Sequence, residues 1–509
     1  MNASFVKPLS AWIDASDAVA DVQVAGICQD SRLCVEGDAY LALKGASTHG
    51  YQFAISAIEN GAIAVLVSPD VAAEYSAITQ QLNASGVPVI EVDKLDERAS
   101  SLAAVFYEHP SEQLTVIAIT GTDGKTSVCQ FVKDAFNTMG TPCGYIGTLG
   151  WGIENTQGTT ALTTPDCVAL QRMLATMLKE GAKAVALEAS SHGIAEGRLN
   201  DVHIDVAVLT NLGRDHLDYH VSAEAYAEAK AQLFRWPSLN AVVVNGDDAL
   251  GQSLINEIAT AGSVGVHVFC TNNDICTDVR GKSESAKAYL SNNIKLSRAG
   301  LQFDLLDDGE LFEIVTPLYG RFNVENLSAC HAVLKACGMA ANDSADALAQ
   351  LGRVPGRMEP FTEFAQPMVI VDYAHTPQAL GAAINAVREH TRGDVWVVFG
   401  CGGDRDPGKR ALMAQAAESA DHIIVTDDNP RTENPAHIRL MIINGFQAPS
   451  AAMEIGDRKR AIQFAIWHAQ PDDAVLVAGK GHEDYQIVGN QVLEFSDREA
   501  VTLMLKEAS

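Results

Sequence analysis

Basic residues are scarce in this sequence. The 509 residues include 36 Lys and Arg against 64 Asp and Glu, which gives a formal net charge of −28 at pH 7. A charge of this sign disfavours binding to nucleic acid or to an anionic membrane surface. An anionic substrate must therefore be held by local basic residues and by helix N-termini.

Membrane-spanning, targeting and zinc-binding patterns are also missing. No apolar run approaches the length that crosses a bilayer, and the N-terminus has no basic start followed by an apolar stretch. The ten cysteines contain no C-x-x-C pair. The closest pairs, Cys28 with Cys34 and Cys270 with Cys276, lack zinc-site spacing. We therefore expect a cytoplasmic protein with reduced thiols, no membrane insertion and no nucleic-acid partner.

What the sequence does contain is an alternation of apolar runs and amphipathic segments. A length of 509 residues predicts two to four domains. Two series of apolar runs predict two α/β domains with mainly parallel sheets and crossover helices. The runs are Leu114–Thr120, Ala182–Leu187, Ile204–Thr210 and Ala241–Val244, then Met368–Val371, Val395–Phe399, His422–Val425 and Ala474–Val477.

The segments between and before these series complete the predicted organisation. Three alternating runs, Ile294–Leu296, Leu301–Leu305 and Leu311–Val315, predict antiparallel strands. The Gly- and Pro-rich stretch Gly352–Arg357 is the best linker candidate. We predict a small α/β domain over residues 1–110, a central domain over 111–355 and a C-terminal domain over 356–509.

The stretch from Gly121 to Thr126, GTDGKT, is a shortened phosphate-binding motif. It lacks the first glycine of G-x-x-x-x-G-K-[ST], because Ile119 stands at that position. A predicted strand precedes it and a helical apolar pattern ending near Gly140 follows it, which is the context a phosphate loop requires. Lys125 adds a cation for phosphate, and Thr126 is a magnesium-ligand candidate.

Polar residues cluster directly after three predicted strands of the central series. Parallel sheets bind ligands at the carboxyl ends of their strands, so three clusters in one domain favour a shared site over local capping. The clusters are Glu188, Ser190, Ser191 and His192; Asn211, Arg214, Asp215 and His216; and Asn245, Asp247 and Asp248.

Taken together, the motifs resemble the Mur ligase family, over almost the whole chain and in order. Besides GTDGKT, they are TNLGRDHLDYH (Thr210–His220), YAEAK (Tyr226–Lys230), GRFNVENLSA (Gly320–Ala329), VPGRME (Val354–Glu359), DYAHTP (Asp372–Pro377), FGCGGDRDPGKR (Phe399–Arg410), DDNPR (Asp427–Arg431) and AGKGHEDYQ (Ala478–Gln486). The resemblance implies three domains: a small N-terminal α/β domain, a central P-loop ATPase-like domain with mainly parallel sheet, and a C-terminal Rossmann-like α/β domain.

The resemblance also implies an activity. The expected enzyme is a cytoplasmic, monomeric ATP-dependent amide ligase of peptidoglycan synthesis, which adds meso-diaminopimelate to UDP-N-acetylmuramoyl-L-alanyl-D-glutamate. A carboxylate of the UDP-linked substrate is phosphorylated by ATP, and the acyl phosphate is then attacked by an amine. Positioning and charge neutralisation are the protein's main tasks in such a reaction.

ATP and magnesium residues are carried over by their positions in the motifs. Lys125, Glu188, His216 and Lys230 are the implied catalytic residues. The implied ATP contacts are Gly121, Thr122, Asp123, Gly124, Lys125, Thr126, Ser127, Asn323, Asn326 and Arg357. Two Mg²⁺ ions are expected, held by Thr126, Glu188, His216 and Lys230. The spacing of His216 and His220 also suits zinc, but the HExxH glutamate is absent.

Lys230 matches the lysine that the family carries as a carbamate, N6-carboxylysine. Its neutral amine adds CO₂, and the resulting anion can ligate a metal ion. The residues alone would instead describe Lys230 as a solvated lysine on a helix. The chemistry requires a site that disfavours the ammonium form.

Contacts to the other two substrates are implied in the same way. UDP-substrate contacts are expected from Ser31, Ala46, Ser47, Thr48, Thr163, Thr164, Ser190, Glu196 and Arg198. The amino acid is expected at Arg405, Asp428, Asn429, Pro430, Arg431, Gly479 and Glu483. Two positions depart from the family pattern: Leu162 stands where close relatives often have Asn, and Glu196 where they often have Gln.

Several alternatives stay open at this point. FGCGGDRD resembles a dinucleotide fingerprint, but its spacing is G-x-G-G. A lysine-adding ligase and a folylpolyglutamate synthetase would share the ATP loop, although DDNPR and the first domain argue against the synthetase. A nucleotide-gated switch that hydrolyses ATP without ligation belongs to a different functional class and has no need of a second ligand site.

Overall fold

The computed structural model describes residues 5–14, 16–45, 47–154, 158–213, 217–261, 264–282 and 286–507. The chain divides into two compact units. The first comprises Met1–Val268, Val279–Lys287 and Ala332–Gly338, and the second comprises Phe269–Asp278, Ala288–His331 and Met339–Ser509.

The first unit begins with a small parallel sheet. Its four strands lie in the order Gly26–Cys28, Asp38–Leu41, Ala64–Val67 and Val89–Glu91. Helices Ala54–Glu59, Pro69–Glu74, Ser76–Ser85 and Leu95–Phe106 accompany it, and Lys7–Pro8 pairs with Gln23–Val24. Apolar residues of one face, including Leu9, Trp12 and Phe106, form a buried core, so the predicted small N-terminal α/β unit is confirmed.

A larger, mainly parallel sheet follows in the same unit. Seven of its strands lie in the order Gly265–Cys270, Ala241–Asn245, Val206–Leu209, Thr115–Thr120, Ala184–Glu188, Cys143–Gly147 and Gly150–Gly152, and the last strand is antiparallel to its neighbour. Its helices are Lys125–Thr138, Cys167–Lys179, Ser191–Ala195, Leu217–His220, Ala223–Ala231 and Ala249–Ala261. The register pairs Glu188 with Ile119 and Leu209 with Thr120, so the carboxyl ends of three strands meet at one edge.

The second unit contains antiparallel strands and a second parallel sheet. Strands Ala286–Ser297, Gly300–Asp307 and Glu310–Thr316 pair antiparallel, as predicted, beside helices Asn273–Lys282, Phe322–Ala336 and Ala341–Ala349. The parallel sheet has the order Glu359–Phe361, Met368–Asp372, Ala474–Ala478, Val395–Phe399, His422–Val425 and Ala452–Glu454, with only the first strand antiparallel. A hairpin, Tyr485–Val488 with Gln491–Glu494, and helices Pro377–Arg388, Gly408–Ala417, Pro435–Ile443, Arg458–His468 and Asp497–Glu507 complete the unit.

The α/β class with mainly parallel sheets is therefore confirmed, whereas one expectation about the cysteines is wrong. Cys270 and Cys276 are joined by a disulfide. One lies at the end of a strand and the other in the following helix, which brings their Cα atoms to 6.3 Å, a separation that permits the bond. The other eight cysteines are free. Within the described residues, no helix is long and apolar enough to cross a membrane.

Candidate active site

The predicted phosphate loop lies between strand Thr115–Thr120 and helix Lys125–Thr138. Gly121 has φ +150°, and a Cβ at this position would lie 1.8 Å from Thr210 Oγ1. Gly124, at φ +83°, is the residue directly before the helix. Two glycines are therefore required here by close approach and by left-handed backbone, and the loop leads into the N-terminus of a 14-residue helix, where backbone N–H groups face an anion.

Lys125 lies against the loop that it belongs to. Its Nζ donates hydrogen bonds to the carbonyl oxygens of Gly121 and Thr122, both at 2.9 Å. The next two side chains of the helix, Thr126 and Ser127, are buried. The ammonium group is thus held over the turn, at the position where the sequence predicts a phosphate.

Residues after the neighbouring strand hold the loop in place. Thr210 Oγ1 donates to Asp123 O at 2.6 Å, and Asp123 N donates to Asn211 Oδ1 at 2.9 Å. Gly213 N donates to Thr122 Oγ1 at 2.8 Å. The predicted cluster after Leu209 therefore contacts the phosphate loop directly, although Arg214, Asp215 and His216 lie outside the described residues.

Glu188 is the buried carboxylate of this site. It is fully buried, and its Oε1 accepts hydrogen bonds from Tyr145 Oη at 2.5 Å and from Thr148 N at 2.9 Å. Its Oε2 accepts from Thr126 Oγ1 at 3.1 Å and from Thr148 Oγ1 at 3.2 Å. Burial raises the pKa of Tyr145 well above its ordinary value, and the Glu188 carboxylate raises it further, so this hydroxyl remains a donor at neutral pH.

Lys230 is buried beside the phosphate loop, not solvated on its helix. It is 1% exposed, and its Nζ donates to Gly121 O at 2.7 Å. The same Nζ lies 4.5 Å from the centroid of the Tyr226 ring. The Tyr226 hydroxyl and Thr122 Oγ1 are 3.1 Å apart. The loop, the tyrosine and the lysine therefore form one contiguous cluster.

The residues expected at the muramoyl-dipeptide part lie next to Glu188. Thr164 Oγ1 donates to Glu188 O at 2.8 Å and lies 2.9 Å from Ser190 Oγ. Arg198 Nη1 donates to Thr164 O at 2.9 Å, and its other nitrogens contact Glu196 Oε2 at 2.5 and 2.9 Å. Thr163 Oγ1 is 3.2 Å from Thr148 Oγ1. The exposed Leu162 gives this group no polar contact in the described chain.

The uridine contacts expected in the small sheet are described only in part. Ser31 is buried and begins a short 3₁₀ turn, and its carbonyl accepts from Asn60 Nδ2 at 2.9 Å. Ser47 and Thr48 lie in the turn where Gly45 N donates to Thr48 O at 2.9 Å. Ala46 lies outside the described residues.

In the second unit, the residues expected at the amino acid meet beyond the ends of two parallel strands. Asn429 is buried, and its Nδ2 donates to Glu483 Oε2 at 3.0 Å. A Cβ on Gly479, at φ +118°, would lie 2.7 Å from Asp428 Oδ2. The sequence separation between these two segments is about 50 residues, and the fold brings them into contact.

Arg431 adopts an unusual backbone conformation in this cluster. Its φ is +51°, its N–H donates to Ile487 O at 3.0 Å, and its carbonyl accepts from Gly489 N at 2.7 Å. Its Nη1 donates to the carbonyl oxygens of Gly403 at 2.9 Å and Asn429 at 3.4 Å. Pro430 precedes it, and Arg405 is exposed on the neighbouring loop.

The remaining predicted ATP contacts also lie in the second unit. Asn323 and Asn326 are buried on helix Phe322–Ala336, where Asn323 Nδ2 donates to Tyr319 O at 2.7 Å and Asn326 Nδ2 to Asn323 Oδ1 at 2.9 Å. The Arg357 guanidinium lies over the Tyr373 ring, 4.7 Å from its centroid. Their roles toward ATP stay predictions.

Sequence reasoning missed residues that hold the predicted ones. Tyr145 and Thr148 bind Glu188, Tyr226 contacts Lys230, and the buried Lys480 contacts Asn429 and Glu483. Tyr226 and Lys480 stood inside recognised motifs, so the motifs themselves were a signal. Tyr145 and Thr148 lie in a segment with no motif, and only the folded contacts reveal them.

The described residues fit a hard cation in one place. Among the described residues, no group of three or more His, Cys, Asp or Glu side chains is placed to hold a metal ion. His216 is not one of the described residues. The oxygens of Thr126 and Glu188, however, are buried 3.1 Å apart at the mouth of the phosphate loop. Hydroxyl and carboxylate oxygens are the donors that Mg²⁺ takes beside nucleotide phosphates.

Three family models match successive parts of the chain. They are the "Mur ligase family, catalytic domain" at residues 23–107, the "Mur ligase middle domain" at 119–334 and the "Mur ligase, glutamate ligase domain" at 356–481. The predicted three-domain architecture agrees with this order.

Individual relatives match over nearly the full length. The chain is 44% identical over 503 residues to the UDP-N-acetylmuramoyl-L-alanyl-D-glutamate–2,6-diaminopimelate ligase of Alkalilimnicola ehrlichii, covering 98% of each. A solved structure of a ligase of the same name has a TM-score of 0.66 at 33% identity, covering 100% of this chain and 99% of the other. A folylpolyglutamate synthase of Mycobacterium tuberculosis, complexed with ADP and AMPPCP, has a TM-score of 0.59 at 18% identity, covering 75% of this chain and 91% of the other, and shows the shared fold alone.

Proposed function

The chain belongs to the Mur ligase family, and we propose that it joins meso-2,6-diaminopimelate to UDP-N-acetylmuramoyl-L-alanyl-D-glutamate with ATP. It is an ATP-dependent amide ligase of peptidoglycan synthesis, an acid–amino-acid ligase that forms ADP. The observation that carries the proposal is the cluster of Lys125 with the buried Thr126, Glu188 and Lys230 at one sheet edge, in a chain 44% identical to a ligase with this name.

The first chemical step activates the carboxylate of the UDP-linked substrate. A carboxylate oxygen attacks the γ-phosphorus of ATP, the bond to the β-phosphate oxygen breaks, and ADP leaves. Backbone N–H groups from Gly121 to Ser127 and the Lys125 ammonium stabilise the charge on the transferring group. The rigid turn and its contacts from Thr210 and Asn211 keep these donors in place before the reaction, so little reorganisation is needed.

Magnesium, which the reaction needs beside ATP, would be held by Thr126 and Glu188, and we propose His216 and Lys230 as further ligands and two ions in all. A bound Mg²⁺ supplies charge neutralisation on the phosphates. Tyr145 and Thr148 fix the orientation of the Glu188 carboxylate by hydrogen bonds to its two oxygens.

We propose that Lys230 works as its carbamate. The neutral amine attacks CO₂, an N–C bond forms and one proton leaves, which gives an anion with two oxygens. The burial of Lys230 supports this, because a site that excludes water protects the carbamate from solvent. Lys230 Nζ donates a hydrogen bond to Gly121 O, so the modified side chain would lie next to the phosphate loop.

In the second step, the neutral amine of diaminopimelate attacks the acyl carbon, a C–N bond forms, the C–O bond to the phosphate breaks, and phosphate and one proton from the amine are released. We propose that Ser31, Ala46, Ser47 and Thr48 contact the UDP part, and that Thr163, Thr164, Ser190, Glu196 and Arg198 contact the muramoyl dipeptide. Arg405, Asp428–Arg431, Gly479 and Glu483 would hold the amino acid. Asn323, Asn326 and Arg357 would contact ATP.

Phosphate release under stepwise addition of substrates tests the reaction. We expect rapid release only when ATP, the UDP-dipeptide and diaminopimelate are all present, with one amide product by mass spectrometry. Release with ATP alone would support a nucleotide-gated switch. A faster reaction with lysine would indicate a lysine-adding ligase, and glutamate ligation to a folate would indicate a folylpolyglutamate synthetase.

We further propose domain boundaries at residues 110 and 355, a monomeric enzyme and a cytoplasmic location. The family matches at 23–107, 119–334 and 356–481 support those boundaries. Size-exclusion chromatography with light scattering tests the monomer against a dimer.

A further inference from the structure

A fully buried lysine stands in the proposed amino-acid site without an assigned role. Lys480 follows strand Ala474–Ala478 and has 0% exposure. Its Nζ donates to Glu483 Oε2 at 2.8 Å and to Asn429 Oδ1 at 3.2 Å. A buried ammonium is stable only when it is paired and hydrogen-bonded, and both partners here are residues proposed to bind the substrate.

These contacts fix the orientation of the Asn429 amide. Oδ1 accepts from Lys480 Nζ and from Ile487 N at 3.0 Å. Because two donors face this atom, it must be the oxygen, and the amide nitrogen must point the other way. That nitrogen donates to Glu483 Oε2 at 3.0 Å.

The same contacts fix Glu483. Its Oε2 accepts from both Lys480 and Asn429, whereas Oε1 has no hydrogen bond to any described residue. The Glu483 side chain is 16% exposed, so one carboxylate oxygen is held inside and the other is left for a ligand. An oxygen of this kind is suited to an ammonium group.

We propose that Lys480 is a positioning residue, which presets Glu483 and Asn429 so that Glu483 Oε1 receives an ammonium group of the amino-acid substrate. This inference rests on the proposed function. Without the Lys480 cation, the Glu483 side chain regains its rotamers and the Asn429 amide is free to turn over. Substrate binding then has to order both groups.

The test varies diaminopimelate in the phosphate-release assay, with ATP and the UDP-dipeptide saturating. For Lys480→Met we expect KM for diaminopimelate to rise about tenfold or more while kcat changes less than about threefold, which is the pattern of lost ground-state binding. KM for ATP should stay within about twofold. Lys459→Met, on an exposed lysine of the same unit, is the matched control and should behave as wild type.

A double-substitution cycle then tests the route of the effect. If Lys480 acts through Glu483, Lys480→Met should change KM by no more than about twofold in a Glu483→Gln background. Multiplicative effects, or an unchanged KM in the single variant, would overturn the positioning role.

Two further outcomes separate structure from function. Lys480→Arg retains the cation, so we expect its KM to fall between those of wild type and Lys480→Met. If neither variant folds, as judged by circular dichroism, Lys480 is a structural residue and the proposal is rejected. If wild type itself forms no diaminopimelate product, the proposed function fails and this inference fails with it; wild-type turnover with an unaltered Lys480→Met enzyme overturns the inference alone.

Discussion

Glu196 Oε2 lies 2.5 Å from Arg198 Nη2 and 2.9 Å from Arg198 Nε, so one carboxylate oxygen occupies two nitrogens of the arginine expected to meet the anionic UDP-substrate. Tyr219 Oη donates to the other oxygen of Glu196 at 3.3 Å. Glu196, one of the two positions that depart from the expected family pattern, therefore places a carboxylate on Arg198, and we expect it to compete with the substrate for this arginine.

Glu196→Gln should strengthen binding of the UDP-dipeptide. The Glu196 side chain is 41% exposed, and an exposed ion pair contributes about 0–1 kcal/mol, so we expect KM for this substrate to fall by about two- to fivefold. The difference should shrink as salt is raised from low to high concentration. Leu162→Asn, at the other departure, tests whether a new polar group acts in the same direction. A higher KM in Glu196→Gln would indicate that the pair is needed to hold Arg198 in place.

Lys125→Ala should abolish ligation while the fold survives. Its Nζ donates to two loop carbonyls, which water can satisfy in the variant, whereas the transferring phosphoryl group loses a fixed cation. One lost charge-assisted contact in the transition state costs about 3 kcal/mol or more, about a hundredfold or more in kcat. Single-turnover product formation and the melting temperature are the measurements. Near wild-type turnover would remove Lys125 from the reaction.

Lys230→Ala should be nearly inactive, and small carboxylic acids should restore part of the activity by supplying metal-ligand oxygens. Wild-type activity should fall in CO₂-depleted buffer and return with bicarbonate. Lys183→Ala, an exposed lysine of the same unit, is the control and should show neither response. Full activity of Lys230→Ala, or ¹³C NMR without a carbamate signal in an active enzyme given ¹³CO₂, would contradict the modification.

How much of the fold and of the candidate site can be predicted from the sequence depends on how far apart along the chain the interacting residues are. Buried parallel strands are continuous apolar runs, so Thr115–Thr120 and Ala474–Ala478 were predicted close to their observed bounds. The phosphate loop is a local turn between a strand and a helix, so its glycines can be identified directly from the sequence motif. Family motifs then supplied residue roles that no local pattern contains.

Contacts between distant segments could not be predicted. Tyr145 and Glu188 are 43 residues apart, and Lys480 and Asn429 are 51 apart, so their hydrogen bonds exist only after the strand order is set. Lys230 illustrates the same limit, because a helical lysine is usually solvated and only the folded loop buries it. The Cys270–Cys276 disulfide depends on how a strand end meets the next helix.

His482 predicts a pH dependence of stability. Burial lowers its pKa to about 4, and the nearby Arg357 cation lowers it further. In the unfolded chain His482 takes up a proton near pH 6.5, whereas in the folded chain it does so only near pH 4. The free energy of unfolding is therefore unaffected by His482 above pH 6.5 and decreases as pH falls from 6.5 toward 4. Between pH 7 and pH 5, His482→Gln should lose about 1–2 kcal/mol less unfolding free energy than wild type. Urea titrations at both pH values measure it, and identical losses would show that His482 accepts its proton freely in the folded enzyme.

Arg431 should determine which amino acid is added. Diaminopimelate is lysine with a second carboxylate at its far end, so a selective site needs a fixed cation there. Arg431 Nη1 is anchored by the carbonyls of Gly403 and Asn429, and its Nε and Nη2 have no hydrogen bond to any described residue. Two nitrogens of a guanidinium match a carboxylate in a two-pronged geometry, and the hydrogen-bond partners of Arg431 Nη1 are neutral carbonyls.

Arg431→Ala should therefore lower kcat/KM for diaminopimelate by about a hundredfold or more, from one or two charged hydrogen bonds at roughly 1.5–3 kcal/mol each. The small rate with lysine should change far less, because lysine lacks the second carboxylate that would pair with this arginine. Arg431→Lys is the matched variant. It keeps the positive charge but cannot donate two parallel hydrogen bonds to a carboxylate, so its activity should lie between those of Arg431→Ala and wild type. Ala and Lys meet the same backbone strain at φ +51° as the native Arg, so the melting temperature should change little in either. Both amino acids are measured in all three proteins; if wild type prefers lysine, or if Arg431→Ala loses both substrates equally, Arg431 is not the residue that selects the amino acid.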